Sequence, residues 1–326
     1  MLTPTSPQLI PPLEAPKLIT VGPSPPSMSG IHHPTDFQTI SEALHAIPFI
    51  PQDTPSQFAY RYTILLLPGH YRERIRMKPF VNLVGISKES VYIEPLPPDE
   101  GFPEEHVLRP NTNDAIIMLS GGNNITNISI LNPYWATKTN SAIRGVGIRG
   151  LGLTNIDVFP SGYWPDKVGK DGPFCRGKIL ELTEGWTQCI ITSLGFTYLG
   201  PDDFGVSLVG KGQNADCHFI SCFFDALFVD SDVSGCVKIR DCFEVHIRNS
   251  ILRVHNGQYP DPNPPEVPGS AVDVFGTLGT NVYIEGCSLL CVRPSRRILN
   301  IGPNADCFFR HSCTDSIMIW HHCCPN

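Results

Sequence analysis

Polar and hydrophobic positions follow one another in a short pattern that recurs seven times between residues 127 and 311. Each copy begins with a small or polar residue followed by apolar ones, as in NISIL, NIDVF, SCFF and NSIL. The copies begin at Asn127, Asn155, Ser193, Ser221, Asn249, Gly286 and His311. Their spacings are 28, 38, 28, 28, 37 and 25 residues, which is one period of 25–28 residues twice enlarged by about ten. A repeat this short cannot bury its own apolar face, so the copies must stack on one another.

Residues 35–93, which precede the repeats, show a helical pattern followed by short strands. Four apolar residues lie on one face of the predicted helix: Phe37, Ile40, Leu44 and Ile47. Thr35 or Asp36 can cap the start of this helix, and Pro48 ends it. Short apolar runs then predict strands at residues 62–67, 75–77, 81–84 and 91–93.

The period and the scarcity of helices together favour one fold class. Tight turns separate the predicted strands and no second helical pattern lies between them, which argues against alternating strand–helix units. A period of 25–28 residues suits three short parallel strands per turn. We therefore predict an all-β protein, a single-stranded right-handed parallel β-helix whose open N-terminal end is covered by the helix within residues 35–48.

The distribution of proline divides the chain into an arm and a body. Residues 1–34 contain nine prolines and no periodic apolar pattern, which predicts an extended, partly polyproline-like arm. Residues 35–326 form the predicted β-helix body. Three loops interrupt it, near residues 95–111, 159–172 and 256–268. Long loops on a rigid body often carry binding sites, although they also occur as plain insertions.

Charge and hydropathy argue against two kinds of partner. The 24 Lys and Arg residues against 31 Asp and Glu give a net charge of −7, with no basic cluster. Nucleic-acid partners are not expected, because phosphate neutralisation requires clustered cations. No apolar run approaches the roughly 18 residues of a membrane helix, so no membrane span is expected. The N-terminus lacks the basic and apolar regions of a secretory signal, which favours a virion or an intracellular assembly site as the location.

The twelve cysteines fit the stacked repeat better than an oxidised scaffold. Several of them lie in or near the repeated pattern: Cys217, Cys222, Cys242, Cys287, Cys307 and Cys313. Stacked copies would place these side chains in interior rows, where a free cysteine behaves as a small apolar residue. We therefore predict buried thiols, with a few disulfides as the alternative.

Three segments between residues 36 and 85 carry a family resemblance. They read DFQTISEAL at residues 36–44, LPGHYRE at residues 67–73 and KPFVNLVG at residues 78–85. The second contains a Gly-x-Tyr-x-Glu element at Gly69, Tyr71 and Glu73. In this the chain resembles the opening of pectinesterase-type β-helices of the pectin-lyase-like superfamily. The resemblance covers about fifty residues and implies the fold, whereas fold alone does not imply activity.

The resemblance implies an esterase site with two aspartates, one the nucleophile and one the general acid/base. An arginine would hold them, and glutamines would stabilise the oxyanion. The matching positions give Asp225, Asp273 and Arg293 as candidate catalytic residues. At the two glutamine positions this chain has Phe204 and Phe224. Losing one oxyanion donor typically costs roughly a hundredfold in rate, so these substitutions argue against esterase activity.

Register gives a second reason against a working carboxylate pair. The family's two aspartates lie about one coil apart, on neighbouring turns. Here Asp225 lies four residues after the repeat position Ser221, whereas Asp273 lies 13 residues before Gly286. The two aspartates therefore do not stack in this register, and the residue one period after Asp225 is a cation, Arg253.

Aromatic and metal-binding residue types offer weaker candidates. Four aromatic residues in loops could stack on sugar rings: Tyr134, Trp135, Tyr163 and Trp164. Aromatic residues beside prolines also occur simply because they pack a loop against the body. Two carboxylate pairs could hold Ca²⁺, although turns favour Asp for backbone reasons: Asp202 with Asp203, and Asp230 with Asp232. The His and Cys residues at 321–324 lack the spacing of a zinc site. We therefore predict no metal site and no cofactor.

Three functions from different classes remain. The first is a non-enzymatic structural or assembly protein that binds other protein subunits. Because pectin-lyase-like β-helices also serve as spikes, fibres and minor capsid components, the resemblance makes a virion component the leading hypothesis. The alternatives are a pectinesterase-like carbohydrate esterase acting on polysaccharide, and a glycan-binding adhesin that uses the loop aromatics. The departures from the esterase pattern favour a non-enzymatic role.

Overall fold

In the residues that it describes, the computed structural model consists mainly of parallel β-strands, with one short α-helix. It describes residues 17–22, 35–48, 62–98, 102, 104–133, 136–137, 139–161, 175, 177–184, 186–199, 204–228, 235–256, 270–276, 279–291, 299–314 and 319–321. Helix α1 covers Ile40–Ala46, and a single 3₁₀ turn within the described ranges covers Glu104–His106. No helix in these ranges is long and apolar enough to cross a membrane.

Twenty-three strands occur in the described ranges. In chain order they are β1 (Lys17–Val21), β2 (Tyr62–Leu66), β3 (Gly69–Arg72), β4 (Ile75–Arg76), β5 (Val81–Gly85), β6 (Val91–Glu94), β7 (Ala115–Met118), β8 (Asn123–Asn132), β9 (Ser141–Val146), β10 (Arg149–Pro160), β11 (Lys178–Thr183), β12 (Thr187–Leu199), β13 (Phe204–Ile220), β14 (Phe223–Phe228), β15 (Gly235–Arg248), β16 (Ile251–Asn256), β17 (Ser270–Phe275), β18 (Thr280–Glu285), β19 (Ser288–Cys291), β20 (Leu299–Ile301), β21 (Ala305–Arg310), β22 (Cys313–Thr314) and β23 (Ile319–His321).

The strands form three columns, each held together by parallel pairing. Column A contains β1, β2, β5, the first parts of β8, β10 and β12, the second parts of β13 and β15, then β18 and β21. Column B contains β3, β6, the second parts of β8, β10 and β12, then β14, β16, β19 and β22. Column C contains β4, β7, β9, β11, the first parts of β13 and β15, then β17, β20 and β23. From β2 onward the chain visits A, B and C in turn, so the predicted right-handed parallel β-helix is confirmed.

The seven repeat positions occupy one corner of the coils, between column A and column B. The strand pairs that flank this corner keep the spacings seen in the sequence, from Thr154 opposite Thr126 to Ser288 opposite Cys313. All seven positions have left-handed backbone dihedrals, with φ between 50° and 63°. Asn and Gly adopt this conformation at low cost, which explains their frequency there. The predicted stacking of the repeats is therefore confirmed.

Side-chain rows run along the coils inside the body and at this corner. One interior row of column A is fully buried: Ile64, Leu83, Ile125, Leu153, Ile191, Phe219, Ile247 and Ile284. Burial of each such side chain contributes roughly 1.5–3 kcal/mol. At the corner, the Asn155 side-chain amide donates to Asn127 Oδ1 at 2.8 Å. Each coil is thus stabilised mainly by the coils on either side of it.

Helix α1 covers the N-terminal end of the body, as predicted, although its cap differs from the predicted one. The N-cap is Thr39, which forms a reciprocal capping box with Glu42. Asp36 instead accepts hydrogen bonds from the backbone N–H and hydroxyl of Thr20, at 2.7 and 2.9 Å. The bond from the Thr20 backbone N–H is the main cause that lowers the pKa of Asp36. The sequence permits several caps here, and the contact with β1 selects among them.

The described part of the predicted arm belongs to the ladder. Strand β1 lies within residues 1–34 and pairs in parallel with β2 at the start of column A. The rest of that segment lies outside the described residues, and the division at residue 34 stays a prediction. The three predicted loops all leave the corner between column B and column C. In the loop at residues 95–111, Leu96 pairs with Val107 in an isolated bridge. Most of the other two loops lies outside the described residues.

Candidate functional site

The first candidate aspartate, Asp225, lies on the outer face of column B. Its strand neighbours Phe224 and Ala226 are fully buried, so Asp225 points away from the core. The register places Arg253 directly beside it, as the period predicts. Arg253 Nη1 lies 3.8 Å from Asp225 Oδ2, and the guanidinium lies 5.6 Å from the ring centre of Phe223. Asp225 therefore faces a cation on the next coil, where an esterase would have its second carboxylate.

The second candidate aspartate, Asp273, lies on the outer face of column C. Its register neighbours are Lys238 and Asn300, and it accepts a hydrogen bond from the Ser270 hydroxyl at 2.6 Å. Outward side chains of two different columns point in different directions. The structure therefore does not bring the two candidate aspartates into one pair. Arg293, the third candidate, lies outside the described residues.

The counterparts of the two catalytic glutamines are packing residues. Phe224 lies in the interior and stacks on Phe196, with ring centres 4.9 Å apart and planes 13° apart. Phe204 is buried, and the ammonium of Lys238 lies 5.4 Å from its ring centre. Neither ring can donate a hydrogen bond to an oxyanion. Because side chains alternate along a strand, position 224 also faces away from Asp225.

The Gly-x-Tyr-x-Glu element that carries the family resemblance holds the N-terminal end together. The Tyr71 hydroxyl lies 2.7 Å from Leu67 O and 2.9 Å from Val21 O, and burial raises its pKa. The carboxylate of Glu73 accepts hydrogen bonds from the backbone N–H groups of Ile40 and Ser41, at 2.7 and 2.8 Å. An anion at a helix N-terminus is stabilising. The motif therefore secures α1 to the body and takes no part in a carboxylate site.

One outward row of column C is rich in charge and internally balanced. In register it contains Arg144, Glu181, Ser207, Lys238, Asp273 and Asn300. The buried carboxylate of Glu181 lies 3.1 Å from Arg144 Nε and 2.6 Å from Lys178 Nζ, and it accepts from the Ser141 hydroxyl at 3.0 Å. Two cations and one hydroxyl thus satisfy this carboxylate. It is an anchor between coils and not an available acid or base.

A row of stacked rings on the outer face of column A was not predicted. This outer ring row consists of His218, His246, Tyr283 and Phe308. Successive ring centres are 4.6, 4.8 and 5.0 Å apart, and successive planes differ by 2°, 11° and 15°. Each ring lies three residues before a repeat position, so aligning the repeats reveals the row. Because the rings cover one another's faces, they present edges to solvent and offer no flat platform for a sugar ring.

The two imidazoles of the outer ring row have different surroundings. His246 Nε2 lies 2.9 Å from Glu244 Oε1, and its Nδ1 lies 3.4 Å from Arg248 Nη2. Burial, followed by the neighbouring charge of His246, lowers the pKa of His218. The row is held by face-to-face ring contacts from one coil to the next.

The loop aromatics and most of the other candidates cannot be placed. Tyr134, Trp135, Tyr163 and Trp164 lie outside the described residues, and the glycan-binding role assigned to them stays a prediction. The same holds for the aspartate pairs at 202–203 and 230–232 and for residues 322–324. Within the described ranges, no group of three His, Cys, Asp or Glu side chains is arranged to hold a metal ion.

Eight cysteines whose side chains the structure describes are free thiols. Cys307 is half-buried. The other seven are buried: Cys175, Cys189, Cys217, Cys222, Cys236, Cys242 and Cys287. Burial raises the pKa of these thiols, to about 11 for Cys222 and about 12 for Cys242 and Cys307. Stacked thiols such as Cys189 and Cys217 fill the interior as small apolar residues, as predicted.

The three columns and their side-chain rows define a single-stranded parallel β-helix with no assembled carboxylate site among the described residues. In structure the chain is similar to pectin methylesterases. For the enzyme from carrot the TM-score is 0.47 at 14% identity, covering 92% of this chain and 83% of that one. For the enzyme from Yersinia enterocolitica it is 0.47 at 11% identity, covering 87% and 92%.

A viral protein is also among the similar structures. It is ORF18 of Geobacillus virus E2, with a TM-score of 0.38 at 13% identity, covering 85% of this chain and 57% of that one. No family model matches the chain, and no curated protein does. Likeness at this level carries no inference about activity, and the assignment of the fold rests on the strand register itself.

Proposed function

We propose that this chain is a non-enzymatic structural protein of a larger assembly, and specifically a component of a virion. The observation that carries the non-enzymatic part is the dispersal of the esterase positions. Asp225 and Asp273 lie on different columns, and Phe224 is buried in the core. Acyl transfer requires the nucleophile, the acid/base and the oxyanion donors to converge within hydrogen-bond distance of one carbonyl group.

The assembly role is supported by the shape and the ends of the body. A parallel β-helix is rigid along its axis because each coil pairs with its neighbours through three strands. The first and last described strands of column A each carry an exposed large apolar residue: Leu18 on β1 is 62% exposed and Phe308 on β21 is 50% exposed. Exposed apolar groups at strand edges are typical of contacts with other subunits. The partners in this proposal are therefore protein subunits, and the Pro-rich segment before β1 is the tether.

Particle association tests the proposal directly. Density-gradient particles from the native source should contain the chain at a fixed ratio to the major subunit, measured by quantitative mass spectrometry. Deleting residues 1–14 removes most of the tether and keeps β1, so the circular dichroism spectrum should not change while the chain leaves the particle fraction. Asp225→Asn is the matched control and should remain in the particles. If the chain is absent from particles, the virion role is wrong.

An activity measurement tests the non-enzymatic part separately. The full chain should release no methanol from methylesterified pectin between acidic and alkaline pH, and Asp225→Ala should behave identically. Release by the full chain that the Asp225→Ala variant lacks would show that an esterase site survives, and the non-enzymatic assignment would have to be abandoned.

A further inference from the structure

Strand β21 is the last described strand of column A, at the end of the described body opposite α1. It pairs with β18 on one edge, and its other edge has no strand partner among the described residues. Phe309 continues the interior row that is fully buried in earlier coils, yet it is 38% exposed. Phe308 ends the outer ring row and is 50% exposed. The last described coil therefore exposes one aromatic side chain on each of the two rows.

We propose that β21 is a dimer interface, through which two copies of this chain pair tail to tail about a twofold axis. The two β21 strands run antiparallel, with Phe308 of one copy directly opposite Phe308 of the other. Backbone N–H and C=O groups of an open strand edge are ready to pair with another strand. Antiparallel pairing of two identical edges gives a closed, self-complementary contact.

Charge complementarity argues for this occupant and this register. Along β21 the outward residues are Asp306, Phe308 and Arg310, and Phe308 is the middle one of these three. In the antiparallel register, Asp306 of each copy lies opposite Arg310 of the other, so two opposite-charge pairs flank one aromatic pair. Opposite-charge and aromatic cross-strand pairs both stabilise antiparallel strands. Within its own chain Asp306 lies beside Asn281 in register, and Arg310 lies beside Glu285, whose carboxylate is already paired with Arg248 at 2.9 Å.

The same register covers the exposed apolar rows. Directly opposite residues on antiparallel strands have Cα atoms about 4.5–5.5 Å apart, so the two Phe308 rings meet across the axis. Within one copy, Phe308 already stacks on Tyr283 at 5.0 Å, and the outer ring row therefore continues into the second copy. On the inner side, Phe309 of one copy lies opposite Cys307 of the other. The dimer interface therefore shields the exposed side chains of both rows from water.

Head-to-tail stacking is the competing arrangement, and the other end of column A disfavours it. Continuing the parallel register would place β1 of the next copy on β21, with Ile19 on the row of Phe309 and Lys17 on the row of Cys307. A cation would then enter an interior row, which is costly. Asp306 and Arg310 would also gain no opposite charge, since Arg310 would meet Thr20. Helix α1 also lies at the β1 end of the body and packs against it there, so head-to-tail stacking would have to accommodate this helix.

The inference deepens the proposed structural role by naming a second copy as one partner. It can fail separately, because a chain that stays monomeric in solution can still enter a particle through other surfaces. Equally, a dimer that is absent from particles would leave the interface intact and remove only the virion role.

Sedimentation velocity of the full chain across a concentration series tests the interface. The wild-type chain should form a dimer and no larger species. Asp306→Arg places like charges opposite each other twice and should weaken dimerisation about 100-fold or more. The double variant Asp306→Arg with Arg310→Asp restores opposite charges and should return to within about tenfold of the wild type. Glu184→Arg makes the same change in net charge on an exposed turn and should have no effect.

A crosslinking measurement decides the register independently of the charge variants. Phe308→Cys should form a 308–308 disulfide on mild oxidation, because directly opposite Cα atoms lie within disulfide range. Asp306→Cys should not crosslink to itself, and neither should Phe243→Cys, whose parent side chain is 46% exposed and lies two coils before β21. Peptide mass spectrometry identifies the bonded cysteines, and circular dichroism confirms that each variant is folded. Three results would overturn the interface. The wild-type chain could stay monomeric at about 100 μM, it could form species that keep growing beyond the dimer, or the double charge variant could dimerise no more tightly than Asp306→Arg.

Discussion

Replacing Phe224 by Gln tests whether the esterase motif has been lost by substitution alone or by the placement of the residue in the fold. The substitution restores the residue type that the family resemblance expects before Asp225. If position 224 faced a substrate, the new amide could donate to an oxyanion. The structure instead places Phe224 in the interior, fully buried and stacked on Phe196 at 4.9 Å. We therefore expect loss of stability and no gain of activity.

The expected loss of stability has three contributions. Truncating a buried Phe typically costs about 3–5 kcal/mol, and Gln recovers only part of the lost packing. The ring of Phe224 also stacks on Phe196 and meets the edge of Phe219 at 5.9 Å, and each such contact contributes roughly 0.5–1.5 kcal/mol. A buried amide without partners costs roughly 1–3 kcal/mol. Together these predict a loss of at least about 4 kcal/mol in the free energy of unfolding.

Urea unfolding followed by far-ultraviolet circular dichroism measures this loss. The midpoint for Phe224→Gln should fall well below that of the wild type, and methanol release from methylesterified pectin should stay at background. Phe243→Gln is the control, because Phe243 lies on the surface of β15 and its replacement should change stability by about 0.5 kcal/mol or less. An unchanged midpoint for Phe224→Gln, or the appearance of esterase activity, would refute the inward placement of this residue.

Three other changes test the corner, the helix cap and the thiols. Asn155→Ala should be less stable than Asn155→Gly by about 1 kcal/mol, because only Ala is strained at φ 55°, and equal urea midpoints would contradict this. Glu73→Gln should cost about 2 kcal/mol and speed amide exchange in α1, since it weakens charged hydrogen bonds to two helix N–H groups; unchanged exchange would count against the cap. At pH 8, Cys222 and Cys307 should react with Ellman's reagent only after unfolding, because their pKa values are raised to about 11 and 12 and both remain thiols. Rapid labelling of Cys222 or Cys307 in the native chain would contradict that burial, whereas labelling of these two residues that quickens only as pH rises toward those values agrees with it.

Several features of the fold could be predicted because they depend on period alone. The spacing of the repeats identified which residues stack, and the register confirms that Arg253 lies one coil from Asp225. The apolar face around Ile40 and Leu44 predicted α1, since helical spacing is a local property. The buried thiols followed from the presence of Cys217 and Cys222 in the stacked pattern. Stacking converts sequence distance directly into spatial neighbours, so these inferences needed no coordinates.

Other features depend on contacts that no period specifies. Thr39 caps α1 because the helix begins at Ile40, whereas Asp36 bonds to Thr20 of β1, and both follow from how β1 lies beside residue 37. Strand β1 itself lies in a segment whose prolines suggested an arm. The sequence did contain a signal for the outer ring row, because each ring lies three residues before a repeat position. That the rings stack becomes clear only from the structure, which places these side chains on one face.

The decisive difference concerns the direction in which each side chain points. The sequence alone determined the period, the turn residues at the corner between columns A and B, and which repeat positions stack on one another. Only the tertiary structure decided that Asp225 belongs to column B and Asp273 to column C. A period states how far apart two residues lie along the coil. Which column a residue belongs to depends on where the chain turns from one strand to the next. Those turns are set by packing between all three columns.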